Sequence, residues 1–264
     1  MRLLQIRSNG SFGLVERFGD DIPPYAILSH TWGSRDEEVS FQEMENGSGK
    51  TKLGYEKIVF CGRQAAEDGL DYFWVDTCCI DKTSSAELSE AINSMYVWYQ
   101  AARVCYAYLS DVTSIEPRLE SRWFTRGWTL QELIAPAEVV FYNRQWERLG
   151  TKLDLAQTVK DCTGIPIRVL CEHDDLDSFS VAQKMSWAAS RQTTRVEDRA
   201  YCLLGVFGIN MPLIYGEGEN AFIRLQEEIM KITDDHSLFA WQSRDDRGGC
   251  LATSPSSFSR CADV

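Results

Sequence analysis

The chain has 264 residues, 44% hydrophobic and 25% charged, and a formal net charge of −12. That composition excludes a disordered chain, and the acidic balance argues against unaided binding to a nucleic-acid backbone. The length suits one large α/β domain or one domain with an added subdomain.

In chain order, Met1–Arg7 reads as a short strand and not as the apolar core of a secretory signal. Tyr25–Leu28 is a buried-strand candidate. Lys52–Gly69 reads as a helix stopped by Gly69. Tyr72–Val75 is a second buried strand. In Ala86–Arg103, Leu88, Ile92, Met95 and Tyr99 fall on one helical face. Val104–Leu109 is a third strand, Arg122–Ala135 a helix stopped by Pro136, and Val139–Tyr142 a fourth strand. Strands alternating with helices predict a parallel sheet flanked by helices, with ligands outside the carboxyl ends of the strands.

The second half reads as helical. Ser180 and Gln183 form a capping box for a helix to about Arg191. Glu197–Phe207 is a helix stopped by Gly208, and Ala221–Ile232 carries an apolar face. The expected division is an α/β core over 1–150, a helical extension over 151–244, and a tail or linker over 245–264.

No apolar run is long enough to span a bilayer. Nine Cys, an odd number at scattered spacing, fit reduced thiols in a cytoplasmic protein. The adjacent Cys78 and Cys79 do not match zinc-ligand spacing, so no metal is expected. Arg118, Arg122 and Arg126 form a local basic stretch against the acidic average.

Three stretches carry candidate chemistry. Ser29-His30-Thr31-Trp32-Gly33 follows the first buried strand, where Ser29 and His30 are placed either to bond a ligand or simply to close a loop. Asp76 follows the second strand and suits either a sugar hydroxyl or a helix cap. Cys78 enters only a distant reading as a nuclease or peptidase with His30 and Asp76. In Arg126-Gly127-Trp128-Thr129-Leu130-Gln131-Glu132, the Trp128 and Glu132 side chains are neighbours at i and i+4. A carboxylate beside an indole is either desolvated, with a raised pKa, or paired with a surface cation.

These stretches together resemble the heterokaryon incompatibility (HET) family, as Ser29–Gly33, Trp74–Asp81 and Arg126–Glu132. Arg195–Gly205 and Tyr215–Gly218 match it as well. The family is similar in turn to Toll/interleukin-1 receptor (TIR) domains, which are flavodoxin-like parallel sheets. The resemblance implies a TIR-like α/β core with a helical C-terminal extension, acting as a fungal cell-death effector in non-self recognition.

It further implies hydrolysis of NAD to nicotinamide and ADP-ribose on oligomerisation. Glu132 takes the place of the catalytic carboxylate, and Ser121 with Trp128–Leu133 matches the TIR motif, with Thr129 where that motif has Cys. Ser29, His30, Trp32, Asp76, Arg126 and Trp128 are then the substrate-binding residues, with NAD a substrate and no cofactor needed. Expected partners are other copies of the chain and, within a longer protein, a nucleotide-binding oligomerisation module and a repeat sensor. Neither membrane nor direct nucleic-acid binding is expected. The alternative is a non-enzymatic death-signalling adaptor that works by homotypic assembly.

Overall fold

The protein is described by a computed structural model covering residues 1–114, 119–171, 176–242 and 249–264. Arg118 lies outside these residues. Seven strands form one sheet: β1 (Arg2–Ile6), β2 (Phe12–Glu16), β3 (Ala26–His30), β4 (Tyr72–Trp74), β5 (Val104–Tyr108), β6 (Val139–Tyr142) and β7 (Arg148–Thr151). Their spatial order is β2-β1-β4-β3-β5-β6-β7.

The all-parallel expectation holds for the centre alone. β4, β3, β5 and β6 pair in parallel, whereas β1 pairs antiparallel with both β2 and β4, and β7 pairs antiparallel with β6. Connection length explains the two hairpin pairs, β1 with β2 and β6 with β7. A parallel pair needs a crossover of a dozen or more residues, which a short turn cannot supply. The turn from β1 to β2 is closed by Arg7 N–H to the Ser11 carbonyl (2.9 Å), and that from β6 to β7 by Asn143 N–H to the Glu147 carbonyl (3.0 Å). All five residues of β3 are buried, as befits a central strand covered on both faces.

The helices of the first half are α1 (Phe41–Asn46), α2 (Tyr55–Glu67), α3 (Asp76–Cys79), α4 (Ser85–Ala101) and α5 (Thr129–Ile134). The helix expected over Arg122–Ala135 is broken. Arg122–Thr125 is a 3-10 turn, and α5 begins only at Thr129. The intervening backbone is drawn into pairing with a strap from the second half: Gln192 N–H donates to the Thr125 carbonyl (2.6 Å) and Gly127 N–H to the Gln192 carbonyl (2.9 Å). A Cβ on Gly127 would lie 2.5 Å from Thr193 Cγ2, so the strap's approach demands glycine. Every residue of α5 is buried. The Lys152 ammonium donates to the Leu133 (3.1 Å) and Pro136 (2.7 Å) carbonyls at its carboxyl end, where a cation is favoured.

In the second half lie α6 (Ala156–Thr163), α7 (Ile167–Cys171), α8 (Val181–Ala188), α9 (Asp198–Tyr201) and α10 (Asn220–Ile232). The Ser180–Gln183 capping box opens α8, which stops at Ala188. The stretch Glu197–Phe207 divides into α9 and a 3-10 turn at Gly205–Phe207, and Gly208 ends it in the left-handed conformation (φ 64°) that glycine adopts most readily. Asn93 of α4 binds this half to the core, accepting from Met211 N–H at 3.0 Å. Residues 249–264 are irregular apart from a 3-10 turn at Pro255–Phe258. They are nonetheless docked: the buried Gln226 side chain bonds both the N–H and the carbonyl of Ala252 (3.0 and 2.7 Å), and Phe258 is fully buried.

Candidate functional site

A cavity of about 340 Å³ opens outside the carboxyl ends of β3 and β4, where a doubly wound sheet places its ligands. β3 delivers His30 and, one turn on, Trp32. β4 runs into Asp76 and Lys82, α5 and the turn before it supply Arg126, Trp128 and Glu132, and the second half closes the far side with Thr194, Arg195, Asp198 and Tyr215. Of the seven residues singled out in the sequence, six line this one cavity. The seventh, Ser29, stands directly behind Glu132.

Glu132 is 6% exposed and makes no ion pair among the described residues, so it is not a surface carboxylate. The Ser29 hydroxyl donates to Glu132 Oε2 and itself accepts from the Trp123 indole N–H at 2.8 Å. Burial pushes the Glu132 carboxyl up to about 8. The Asp76 charge adds to that rise, while the Ser29 hydroxyl, Tyr99 and the Arg191 guanidinium oppose it. Tyr99 gives its own proton to the Leu28 carbonyl (3.1 Å). Glu132 thus holds its proton to higher pH than an ordinary carboxyl, a condition suited to proton transfer.

His30 and Asp76 are arranged differently. Neither ring nitrogen of His30, nor Asp76 Oδ1, has a hydrogen-bond partner, although all three atoms are buried. His30 stands 3.9 Å from Asp76 and 3.7 Å from Glu38, too long for a hydrogen bond. Buried polar atoms without partners are costly, and at a cavity wall they await a ligand or ordered water. Asp76 Oδ2 does accept from the Trp32 indole at 2.8 Å. The Lys82 ammonium sits 4.1 Å from the Trp32 ring centroid, and burial lowers its pKa.

Arg126 reaches Thr194 Oγ1 at 3.5 Å and makes no ion pair among the described residues. Across the cavity, Tyr215 donates to Asp198 (3.0 Å), and Arg195 stacks 4.3 Å from the Tyr215 ring centroid. Burial raises the Asp198 pKa against the hydrogen bonding of Tyr215 and Trp128.

The sequence reading did not assign Tyr99, Trp123, Lys82, Arg191, Arg195, Asp198 or Tyr215 to a site. For Arg195, Asp198 and Tyr215 a signal was present, since they lie in the two second-half motifs that had served only the family resemblance. Ser121 is not at the cavity; it donates to Asp111 at 2.6 Å and caps Trp123 N–H. Cys78 is fully buried with its thiol held well above the ordinary pKa by burial, so it is no nucleophile. Among the described residues no group of three His, Cys, Asp or Glu could hold a metal ion, and no helix is long and apolar enough to cross a membrane.

The heterokaryon incompatibility protein (HET) family model matches residues 25–118, and a domain of unknown function matches residues 220–261. Over 238 residues, 86% of its length, the chain is 50% identical to vegetative incompatibility protein HET-E-1 of Podospora anserina. The chain belongs to the heterokaryon incompatibility family. It spans 17% of the length of that relative. No solved structure matches the HET chain. Ser29, His30, Trp32 and Asp76 fall inside the matched HET segment, whereas Glu132 and the strap lie beyond it.

Proposed function

We propose that this HET domain is a TIR-like effector of fungal non-self recognition that hydrolyses the nicotinamide–ribose bond of NAD. The observation that carries the reading is the buried Glu132 carboxyl, backed by Ser29 and facing a cavity whose rim holds two indoles and two arginines. The four parallel strands run in the order second, first, third, fourth, as in flavodoxin-like sheets, which supports the TIR-like fold. The name of the relative supports the biological setting.

In this mechanism Trp32 and Trp128 flank the flat rings of the dinucleotide. Arg126 takes the pyrophosphate by a bidentate fork. His30 and Asp76 bond the ribose hydroxyls with the atoms now lacking partners. The cationic nicotinamide ring favours the ionised form of Glu132, so binding releases a proton. The C–N bond then breaks with its electron pair leaving on nicotinamide, and the Glu132 carboxylate offsets the positive charge left on the ribose. Water adds to the ribose and gives its proton to Glu132, yielding ADP-ribose. The domain acts in the cytoplasm, within a longer protein, by self-assembly.

The test is nicotinamide release from NAD by clustered protein beside Glu132→Gln. Release by wild type alone is expected. Release by neither folded protein would favour a non-enzymatic adaptor, and equal release by both would remove Glu132 from the chemistry.

A further inference from the structure

A second cavity, of about 430 Å³, lies on the other side of the strap that pairs with Gly127. Arg191 and Arg199 line it, together with the hydroxyl-bearing Ser190, Thr193, Ser254 and Ser256. Among the described residues no carboxylate lines it, in a chain of net charge −12. No aromatic side chain lines it either, so it offers no platform for a base.

Arg191 is the telling residue. Its Nε donates to the Trp187 carbonyl (3.1 Å) and its Nη1 to the Arg126 carbonyl (2.9 Å) and Thr129 Oγ1 (3.0 Å). Its Nη2 is buried and has no hydrogen-bond partner among the described residues. Among the described residues no carboxylate forms an ion pair with it, and burial raises the pKa of Glu132, whose charge acts on it, which weakens that group as a counterion. Arg199 makes no ion pair or side-chain hydrogen bond among the described residues. A buried guanidinium left without an anion is costly, and a second free one beside it with four hydroxyls makes a donor set for tetrahedral oxyanions.

We propose that this second cavity is a binding site for a small phosphate-bearing anion, held by Arg191 and Arg199 against Ser254 and Ser256. Its floor includes Gly127, and Arg191 bonds the turn that opens α5, so the site is one step from Glu132. An anion here offsets the field of Arg191 on Glu132 and favours the neutral carboxyl. On the NAD-hydrolase reading, which this consequence rests on, the anion is an inhibitor.

Inorganic pyrophosphate is the probe, titrated calorimetrically into the whole chain without NAD. Wild type binds, Arg199→Ala weakens binding about tenfold or more, and a double Arg126→Ala, Arg195→Ala variant, which removes the pyrophosphate contact of the first cavity, keeps the Arg199-dependent binding. No binding by wild type, equal binding by Arg199→Ala, or loss of binding in the double variant overturns the site. Nicotinamide release is then followed with added pyrophosphate at constant ionic strength. Slowing in wild type but not in Arg199→Ala is expected, and equal slowing in both overturns the coupling. A wild type that releases no nicotinamide yet binds pyrophosphate through Arg199 refutes the hydrolase reading and leaves the anion site standing.

Discussion

The two walls of the first cavity handle their polar groups in opposite ways. On the second-half wall, Asp198 is bonded by Tyr215, and Arg195 lies on the Tyr215 ring. On the sheet wall, His30 and one oxygen of Asp76 are buried without hydrogen-bond partners among the described residues, His30 lies at ion-pair distance from Glu38 and Asp76, and burial raises the Glu132 pKa. A satisfied wall holds its own shape. An unsatisfied wall keeps donors and acceptors for something that arrives, at a cost in stability of the empty protein.

The comparison breaks most sharply at Glu132. Glu132→Gln is expected to cut nicotinamide release by roughly 10²–10³-fold, the scale seen when a transition-state charge partner is removed. It should also stabilise the fold at alkaline pH. A carboxyl raised in the folded state adds stability below its unfolded pKa near 4.5 and loses it as pH rises through about 8. Glutamine is neutral throughout, so the advantage of the variant grows from pH 5 to pH 9, to the order of a few kcal/mol, in thermal unfolding scans. An advantage independent of pH would show that the carboxyl is not buried as described.

Ser29→Ala comes next. It removes the donor to Glu132 and leaves the Trp123 indole without an acceptor, costing about 1–3 kcal/mol by denaturant unfolding. Because the lost hydroxyl favours the carboxylate, the rising limb of the kcat/KM profile, expected near pH 8 in wild type, should move to higher pH.

His30→Phe sharpens the contrast between the walls. An apolar ring there removes the imidazole that stands between the Glu38 and Asp76 carboxylates, so the melting temperature should fall modestly while NAD binding weakens about tenfold. A large fall in melting temperature would make His30 structural. The smallest effect is expected on the satisfied wall: Tyr215→Phe should lose about 1 kcal/mol of stability and leave the pH profile of release where it was.

Hydropathy and spacing made the central strands legible, since buried parallel strands are written as unbroken apolar runs. The hairpin strands β2 and β7 were not read as strands, although Asn9-Gly10 before β2 is a hairpin signal. The site was legible as residue types at strand ends. Glu132 stood out as a candidate carboxyl only through the resemblance, because one glutamate on a short helix looks like surface in any sequence.

Residue order alone therefore determined the parallel centre, the capping box at Ser180, the apolar face of α10 and the strand ends that carry Ser29 through Trp32 and lead into Asp76. Tertiary structure decided the rest. The strap at Gln192 broke the helix expected over Arg122–Ala135, because backbone pairing across 65 or more residues outweighs a local helical preference. The same strap divided two cavities and set Arg191 beside Glu132. Burial, which is a property of the packed chain and not of any segment, then raised the pKa of an ordinary glutamate well above the usual carboxylate range.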